Sequence, residues 1–154
     1  MDLADMSSLA SYNYGHMFLL NAIDAFSKYA YSVPMHSKTG ESVASAFRSM
    51  LAKVGSSRRP LVMRTDNGKE FVNATYRKLL NSQGIKMRIC RNPVLKCAVV
   101  ERFNRTLKSK LYKCFPRNNT YRYVDVLNKF VEGYNDSVHS SMGMAPSLVC
   151  DRDV

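Results

Sequence analysis

Several features that would point to other classes of protein are missing from this sequence. It has no tryptophan among its 154 residues, and no apolar run approaches the ~20 residues that span a bilayer. The first residues carry no basic segment followed by an apolar one, which argues against a secretory signal peptide. We therefore expect a soluble, intracellular protein without a membrane partner, folded as one domain over residues 1–154.

Zinc-type ligands are present but not grouped. The four cysteines, Cys90, Cys97, Cys114 and Cys150, form no Cys-x-x-Cys pair, and the three histidines are scattered along the chain. A structural zinc site requires ligands at short spacing. The sequence therefore predicts no bound zinc, and it predicts reduced thiols as in a cytosolic or nuclear protein.

Acidic residues are scarce relative to basic ones. The chain has 12 Asp plus Glu against 23 Lys plus Arg, which gives a formal net charge of +11 and a pI near 9.7. A surplus of this size favours a polyanionic partner such as nucleic acid, although a basic surface also serves solubility.

The hydrophobic pattern predicts an α/β fold. Residues 16–24 form a continuous apolar run and residues 28–35 are rich in β-formers, so the short link between them predicts an antiparallel hairpin. A short strand before residue 12 opens the chain, close to its start. Helical periodicity over 43–54, 71–80, 97–115 and 121–135 alternates with strands at 60–66 and 85–90. The order β-β-β-α-β-α-β-α-α predicts a mixed five-stranded sheet flanked by helices.

Two carboxylates stand at informative places in this pattern. Asp66 ends the fourth predicted strand, at the edge where open α/β sheets place their sites, but Asp-Asn-Gly is also a common turn signal. Glu101 shares one helical face with Arg105 and Lys108, a spacing that suits either a solvated surface or a site for metal and phosphate.

A third carboxylate would have to come from the first strand. Asp2 and Asp5 are both candidates, and because they are three residues apart a regular strand turns them to opposite faces. Asp24, at the end of the second strand, is interpreted as a turn or capping residue without a chemical role. Three such carboxylates suit a pair of Mg²⁺ ions, since small hard ions prefer oxygen ligands and relieve the repulsion between acids.

Four segments resemble the catalytic cores of retroviral and retrotransposon integrases. Residues 65–71 (TDNGKEF) resemble the family's T-D-N-G-x-x-F motif, and residues 99–108 (VVERFNRTLK) resemble the helix that carries its catalytic glutamate. Residues 134–146 resemble the closing Y-N-x-x-x-H-x-x-x-G-x-x-P segment, and residues 18–29 resemble the second-strand hairpin. The segments at 2–6, 37–40 and 91–93 look closest to integrases of Polinton (Maverick) transposons.

The resemblance implies a ribonuclease H-like fold and a polynucleotidyl transferase that performs DNA 3′-end cleavage and strand transfer. It implies a triad of Asp2, Asp66 and Glu101 holding two Mg²⁺ or Mn²⁺ ions, and it is what favours Asp2 over Asp5. It also implies DNA partners (transposon ends and target), a homo-oligomer and a nuclear location. The residues expected at the DNA are Asn67, Lys69, Arg91, Lys96, Arg102, Asn104, Arg105 and Lys108.

Some features depart from the family pattern or leave other functions open. The spacing from Asp66 to Glu101 is one residue shorter than in retroviral cores, and Cys97-Ala98 stands where many relatives have glycine. A transposon relic that binds DNA or protein without catalysis is the main alternative, and a ribonuclease H-type nuclease is the second. Tyr12, Tyr14 and Tyr112 could stack on bases, but scattered tyrosines are more often core or surface residues.

Overall fold

The computed structural model describes residues 1–55, 58–90 and 98–150. Its helices and strands follow the predicted order, with short 3₁₀ helices added at Ser7–Tyr12 and Pro146–Leu148. No helix within these ranges is both long and apolar enough to cross a membrane.

The first three strands form an antiparallel meander. β1 (Asp2–Asp5) pairs with β2 (Phe18–Ile23), and β2 pairs with β3 (Ala30–Met35), which confirms the predicted hairpin. The register places Asp2 opposite Asn21 and Asn21 opposite Ser32. Directly opposed residues share one face of a sheet, so a polar row crosses all three strands.

The other two strands form a separate parallel pair, β4 (Val62–Thr65) and β5 (Lys86–Ile89). The prediction of a single five-stranded sheet is therefore wrong in this respect. β1 and β4 share no ladder in the described ranges; the amino group of Met1 donates one hydrogen bond to the Arg64 carbonyl, at 2.8 Å. That contact keeps the carboxyl end of β4 near β1.

Four helices surround the strands: α1 (Gly40–Lys53), α2 (Ala74–Ser82), α3 (Ala98–Asn118) and α4 (Leu127–Asn135). The side chains of Thr39 and Asn73 cap α1 and α2 by accepting the backbone N–H groups of Ser42 and Tyr76. Such caps satisfy backbone donors that have no partner inside a helix. α3 runs beyond the predicted end at residue 115, and α4 begins later than the predicted residue 121.

Two hydrophobic cores lie on opposite faces of the three-stranded sheet. One contains Leu20, Phe47 and Tyr76, from β2, α1 and α2. The other contains Leu19 and Phe103, from β2 and α3, together with residues of α4. Because neighbouring residues of β2 enter different cores, the strand is buried on both faces, as its continuous apolar run predicts. α3 is thereby held across the face that carries Asp2.

Candidate active site

Asp2 is held by hydrogen bonds on both of its carboxylate oxygens. Oδ1 accepts the backbone N–H of Leu3 and Oδ2 accepts Nδ2 of Asn104, each at 2.8 Å. The side-chain oxygen Oδ1 of Asn104 in turn accepts a hydrogen bond from Nδ2 of Asn21 at 2.7 Å. The chain Asn21–Asn104–Asp2 links β2, α3 and β1, and it fixes one orientation of the Asp2 carboxylate.

Other acids act on Asp2 electrostatically. Burial raises the pKa of the Asp2 carboxyl above its usual value, and the hydrogen bond from Leu3 opposes that rise. The negative charges of Asp66 and Glu101 raise this pKa further. The contacts agree with this, since Asn104, one turn after Glu101, bonds Asp2, and Met1 bonds the carbonyl of Arg64, two residues before Asp66. The structure therefore brings acids from β1, the β4 end and α3 into one neighbourhood.

Asp66 directly follows β4 and begins a tight turn. Its Oδ1 accepts the backbone N–H of Gly68 at 3.2 Å, and the Gly68 carbonyl accepts the N–H groups of Phe71 and Val72. Phe71 is fully buried, which anchors the turn against the core. The structure therefore confirms the turn at Asp66. This turn holds the carboxylate at the strand end, which is also where a site role would require it.

Glu101 lies in the first turn of α3, and its side chain is exposed. The neighbouring Val100 and Phe103 are each 2% exposed and pack the helix onto the sheet. Residues one position apart on a helix are turned by about 100°, so burial of Val100 leaves Glu101 beside the core stripe and facing solvent. Arg105, one turn further, is also exposed.

The two other acids considered from the sequence lie elsewhere. Asp5 is exposed, accepts the backbone N–H of Ser7 at 2.8 Å, and has its pKa lowered by that bond with help from Lys108 and Lys38. Asp24 accepts the backbone N–H and the hydroxyl of Ser27, which confirms its interpretation as a turn residue.

The donor chemistry of Asp2, Asp66 and Glu101 fits a hard divalent cation, since all three offer carboxylate oxygens. Within the described residues, however, no three Asp, Glu, His or Cys side chains are already close enough to hold an ion. Glu101 is the exposed member and the one with a long, rotatable side chain, so it has the most freedom to move toward an ion.

The basic and amide residues expected at DNA are placed unevenly. Asn67 and Lys69 are exposed in the turn after β4. Lys108 donates its Nζ to the Asp5 carbonyl at 2.7 Å. Arg102 lines a cavity of about 220 Å³ together with Tyr134.

Two further members of that set, Arg91 and Lys96, fall outside the described residues, as does the predicted helix start at Cys97. Asn104 is bonded to Asp2 and Asn21, so its side-chain amide is turned to the Asp2 carboxylate.

Asn21 is the site residue that sequence reasoning missed. It is fully buried, and its Oδ1 has no hydrogen-bond partner in the described part of the chain. The sequence feature that could have revealed it is the single amide side chain inside the apolar run FLLNAI of β2. A buried polar side chain requires a partner, and here that partner is Asn104.

Comparisons with known proteins identify the family of this chain. The family model described as integrase core domain matches residues 2–93, which includes Asp2 and Asp66 and ends before Glu101. A putative uncharacterized transposon-derived protein of Caenorhabditis elegans is 37% identical over 141 residues, or 92% of this chain. The chain spans 48% of the length of that relative.

Solved structures share the fold. The HTLV-2 integrase catalytic core domain, in complex with magnesium in its trimeric form, aligns with a TM-score of 0.73 and 22% identity, covering 86% of this chain and 84% of that one. A chain in the structure of the simian T-cell lymphotropic virus intasome in complex with PP2A regulatory subunit B56 gamma aligns with a TM-score of 0.77 and 22% identity, covering 88% of this chain and 49% of that one. The α/β fold is thus that of integrase catalytic cores, and by the family match this chain belongs to the integrase core domain family.

Proposed function

We propose that this domain is the catalytic core of a polynucleotidyl transferase that cleaves DNA at a 3′ end and joins that end to a target strand. The observation that carries the proposal is that Asp2 is bonded to Asn104, one turn beyond Glu101 on α3, while Met1 is bonded to the carbonyl of Arg64, two residues before Asp66. The charges of Asp66 and Glu101 also raise the pKa of the Asp2 carboxyl. The three acids come from distant parts of the chain, and an arrangement that repels itself costs stability unless a cation balances it.

Each acid has a role that follows from its setting. Asp2 and Asp66 are the fixed ligands, since hydrogen bonds from Leu3, Asn104 and Gly68 orient their oxygens. Glu101 is the mobile ligand that completes the site from α3. A pair of Mg²⁺ or Mn²⁺ ions held there would supply activation of the attacking oxygen and stabilisation of the leaving oxygen.

The basic surface would bind the phosphate oxygens of DNA that lie outside the metal site. The chain carries 23 Lys plus Arg, and in the described part the one side-chain ion pair between a Lys or Arg and an acid is Arg122–Asp125, at 3.7 Å. Most of the described cations are thus not neutralised by acids and remain available to phosphates. Contacts of this kind position DNA without reading its sequence.

The proposal extends to partners and origin. The substrates are transposon ends and target DNA, which places the protein in the nucleus and requires a homo-oligomer, since two ends must be joined together. The transposon-derived relative supports a transposon as the source. The Polinton type is proposed only from the resemblance of the segments at 2–6, 37–40 and 91–93.

A strand-joining assay tests the proposal. Wild-type protein incubated with Mg²⁺ and labelled duplex ends should produce cleaved and joined products, and Ca²⁺ in place of Mg²⁺ should not. Asp66→Asn should lose both products while its DNA affinity persists, because the substitution keeps the shape and removes the charge. Asp136→Asn, an exposed acid at the end of α4, is the matched control and should remain active. Equal activity in Asp66→Asn would remove the catalytic proposal.

A second candidate function has an observation in its favour. The carboxylates are not closed into a ready metal site in the described residues, as expected of a transposon-derived module that binds DNA without cutting it. Such a module would bind DNA equally well in Mg²⁺ and in EDTA and give no products in the joining assay.

A further inference from the structure

Three exposed tyrosines that are scattered in the sequence are joined by ring contacts, and a fourth, Tyr14, lies against Arg122, the residue after Tyr121. We call Tyr12, Tyr14, Tyr112 and Tyr121 the tyrosine surface; their side chains are between 48% and 61% exposed. Tyr12 and Tyr121 have ring centroids 5.1 Å apart. The buried Phe115 joins the set, at 5.3 Å from Tyr112 and 5.5 Å from Tyr121. The cluster therefore rests on the core and exposes ring area to solvent.

A buried asparagine fixes the two loops that carry this surface. Asn13, fully buried, donates Nδ2 to the carbonyls of Leu9 and Tyr121 and accepts the backbone N–H groups of Tyr123 and Val124. These bonds join the loop after β1 to the α3–α4 connection across more than 100 residues. Binding to a surface that is already ordered loses less conformational entropy.

The surface continues the face of α3 that begins at the carboxylates. Glu101, Arg105, Lys108 and Tyr112 are spaced by four, three and four residues, so they lie along one stripe of the helix. At a rise of about 1.5 Å per residue, Tyr112 stands about 16 Å from Glu101. DNA strands repeat every ~3.4 Å, so a strand leaving the carboxylates along α3 reaches the tyrosines after about five nucleotides.

The charge along this path complements a phosphate backbone. The Arg122 guanidinium lies 5.3 Å from the Tyr14 ring centroid, and Lys38 and Lys108 flank Asp5. Together with Arg105 these make four cations, against the acids Asp5 and Asp125. Tyr14 also has a positive φ of 54°, which residues with a side chain seldom adopt and which recurs at ligand-binding positions.

We infer that the tyrosine surface binds single-stranded DNA, stacking unpaired bases on Tyr14 and Tyr121 while the cations along α3 hold the backbone. The inference rests on the proposed function for the direction of the strand, which starts at the carboxylates. Aromatic rings beside cations are how proteins bind single strands without sequence preference, because every base offers a flat face.

Fluorescence anisotropy of a labelled twelve-nucleotide oligothymidine, measured in EDTA on the full chain, tests the inference. Tyr14→Ala and Tyr121→Ala should each weaken binding of this probe by about 5- to 150-fold, and their effect on a blunt duplex should stay within about two-fold. Tyr14→Phe keeps the ring and should bind as the wild type does. Phe26→Ala removes an exposed aromatic on the β2–β3 turn and should leave binding unchanged.

An independent signal is available because the chain contains no tryptophan. Tyrosine emission should be quenched when the oligothymidine binds, and less so in Tyr14→Ala. Unchanged affinity in both alanine variants would overturn the inference. It would also be overturned if the variants changed the oligomeric state in light scattering and left DNA affinity alone, since the surface would then be a protein interface. Measurements in EDTA require no turnover, so a loss of the proposed catalytic function would leave this result standing.

Discussion

Replacement of Asn104 by leucine separates the positioning of Asp2 from the stability of the fold. Leucine keeps most of the side-chain volume, but it removes the 2.8 Å hydrogen bond to Asp2 and the acceptor for Asn21. A hydrogen bond to a charged group contributes about 1.5–3 kcal/mol. If all of that serves to orient the carboxylate, the rate of strand joining should fall about 10- to 150-fold.

The same substitution leaves the buried Nδ2 of Asn21 without a partner. An unsatisfied buried donor costs about 1–3 kcal/mol, so urea unfolding of Asn104→Leu should show a loss in that range. Adding Asn21→Val removes the unsatisfied Nδ2 donor, together with the Asn21 Oδ1 that has no partner among the described residues. The double variant should therefore recover stability and stay slow in joining, a non-additive result that only coupled residues give.

Asn118→Leu is the control on the same helix, since that exposed side chain contacts Cys114 and none of the carboxylates. It should change neither joining nor stability by a measurable amount. Joining by Asn104→Leu at the wild-type rate, in protein shown to be folded by circular dichroism, would refute the positioning role of the Asn21–Asn104–Asp2 chain.

Two further predictions concern stability. Asn135→Ala should lower the unfolding free energy by about 2–4 kcal/mol in urea titrations, because its amide makes both a 2.8 Å and a 2.9 Å bond to the buried Ala30 backbone; a loss below 0.5 kcal/mol would contradict this. Burial raises the pKa of Asp24, but the hydrogen bonds from Ser27 and Phe26 and the charge of Arg58 together outweigh burial and keep this pKa below its usual value of 3.8. Asp24→Asn should therefore destabilise the fold by at most about 1 kcal/mol at pH 7. That deficit should vanish in thermal melts as the pH falls below 3.8 through the lower folded-state pKa; a deficit that grew on acidification would contradict it.

Local patterns in the sequence were enough to predict most of the elements. The unbroken apolar run at 16–24 predicted a strand buried on both faces, and β2 separates two cores. The period of Val43, Phe47 and Met50 predicted α1, whose buried face they form. These signals are short-range, since each depends on residues within a few turns or one strand.

What the sequence could not predict depends on long-range contacts. α4 begins at Leu127 and not at 121, because the backbone of Tyr121, Tyr123 and Val124 is bonded to Asn13, more than 100 residues away. The local sequence around Asn21 does not reveal that its partner is Asn104, and the local sequence around each tyrosine does not reveal the tyrosine surface. The carboxylates were identified by family resemblance to motifs, and periodicity alone left Asp2 and Asp5 as equals.

The location of a bound divalent ion is the most direct test of the central claim, that Asp2, Asp66 and Glu101 share metal. Crystals soaked in Mn²⁺ should give anomalous difference density between the three carboxylates, with Glu101 turned inward, and Asp66→Asn crystals should lack that density. Anomalous density at other surface acids with none between these three, at saturating Mn²⁺ in well-ordered crystals, would contradict the account.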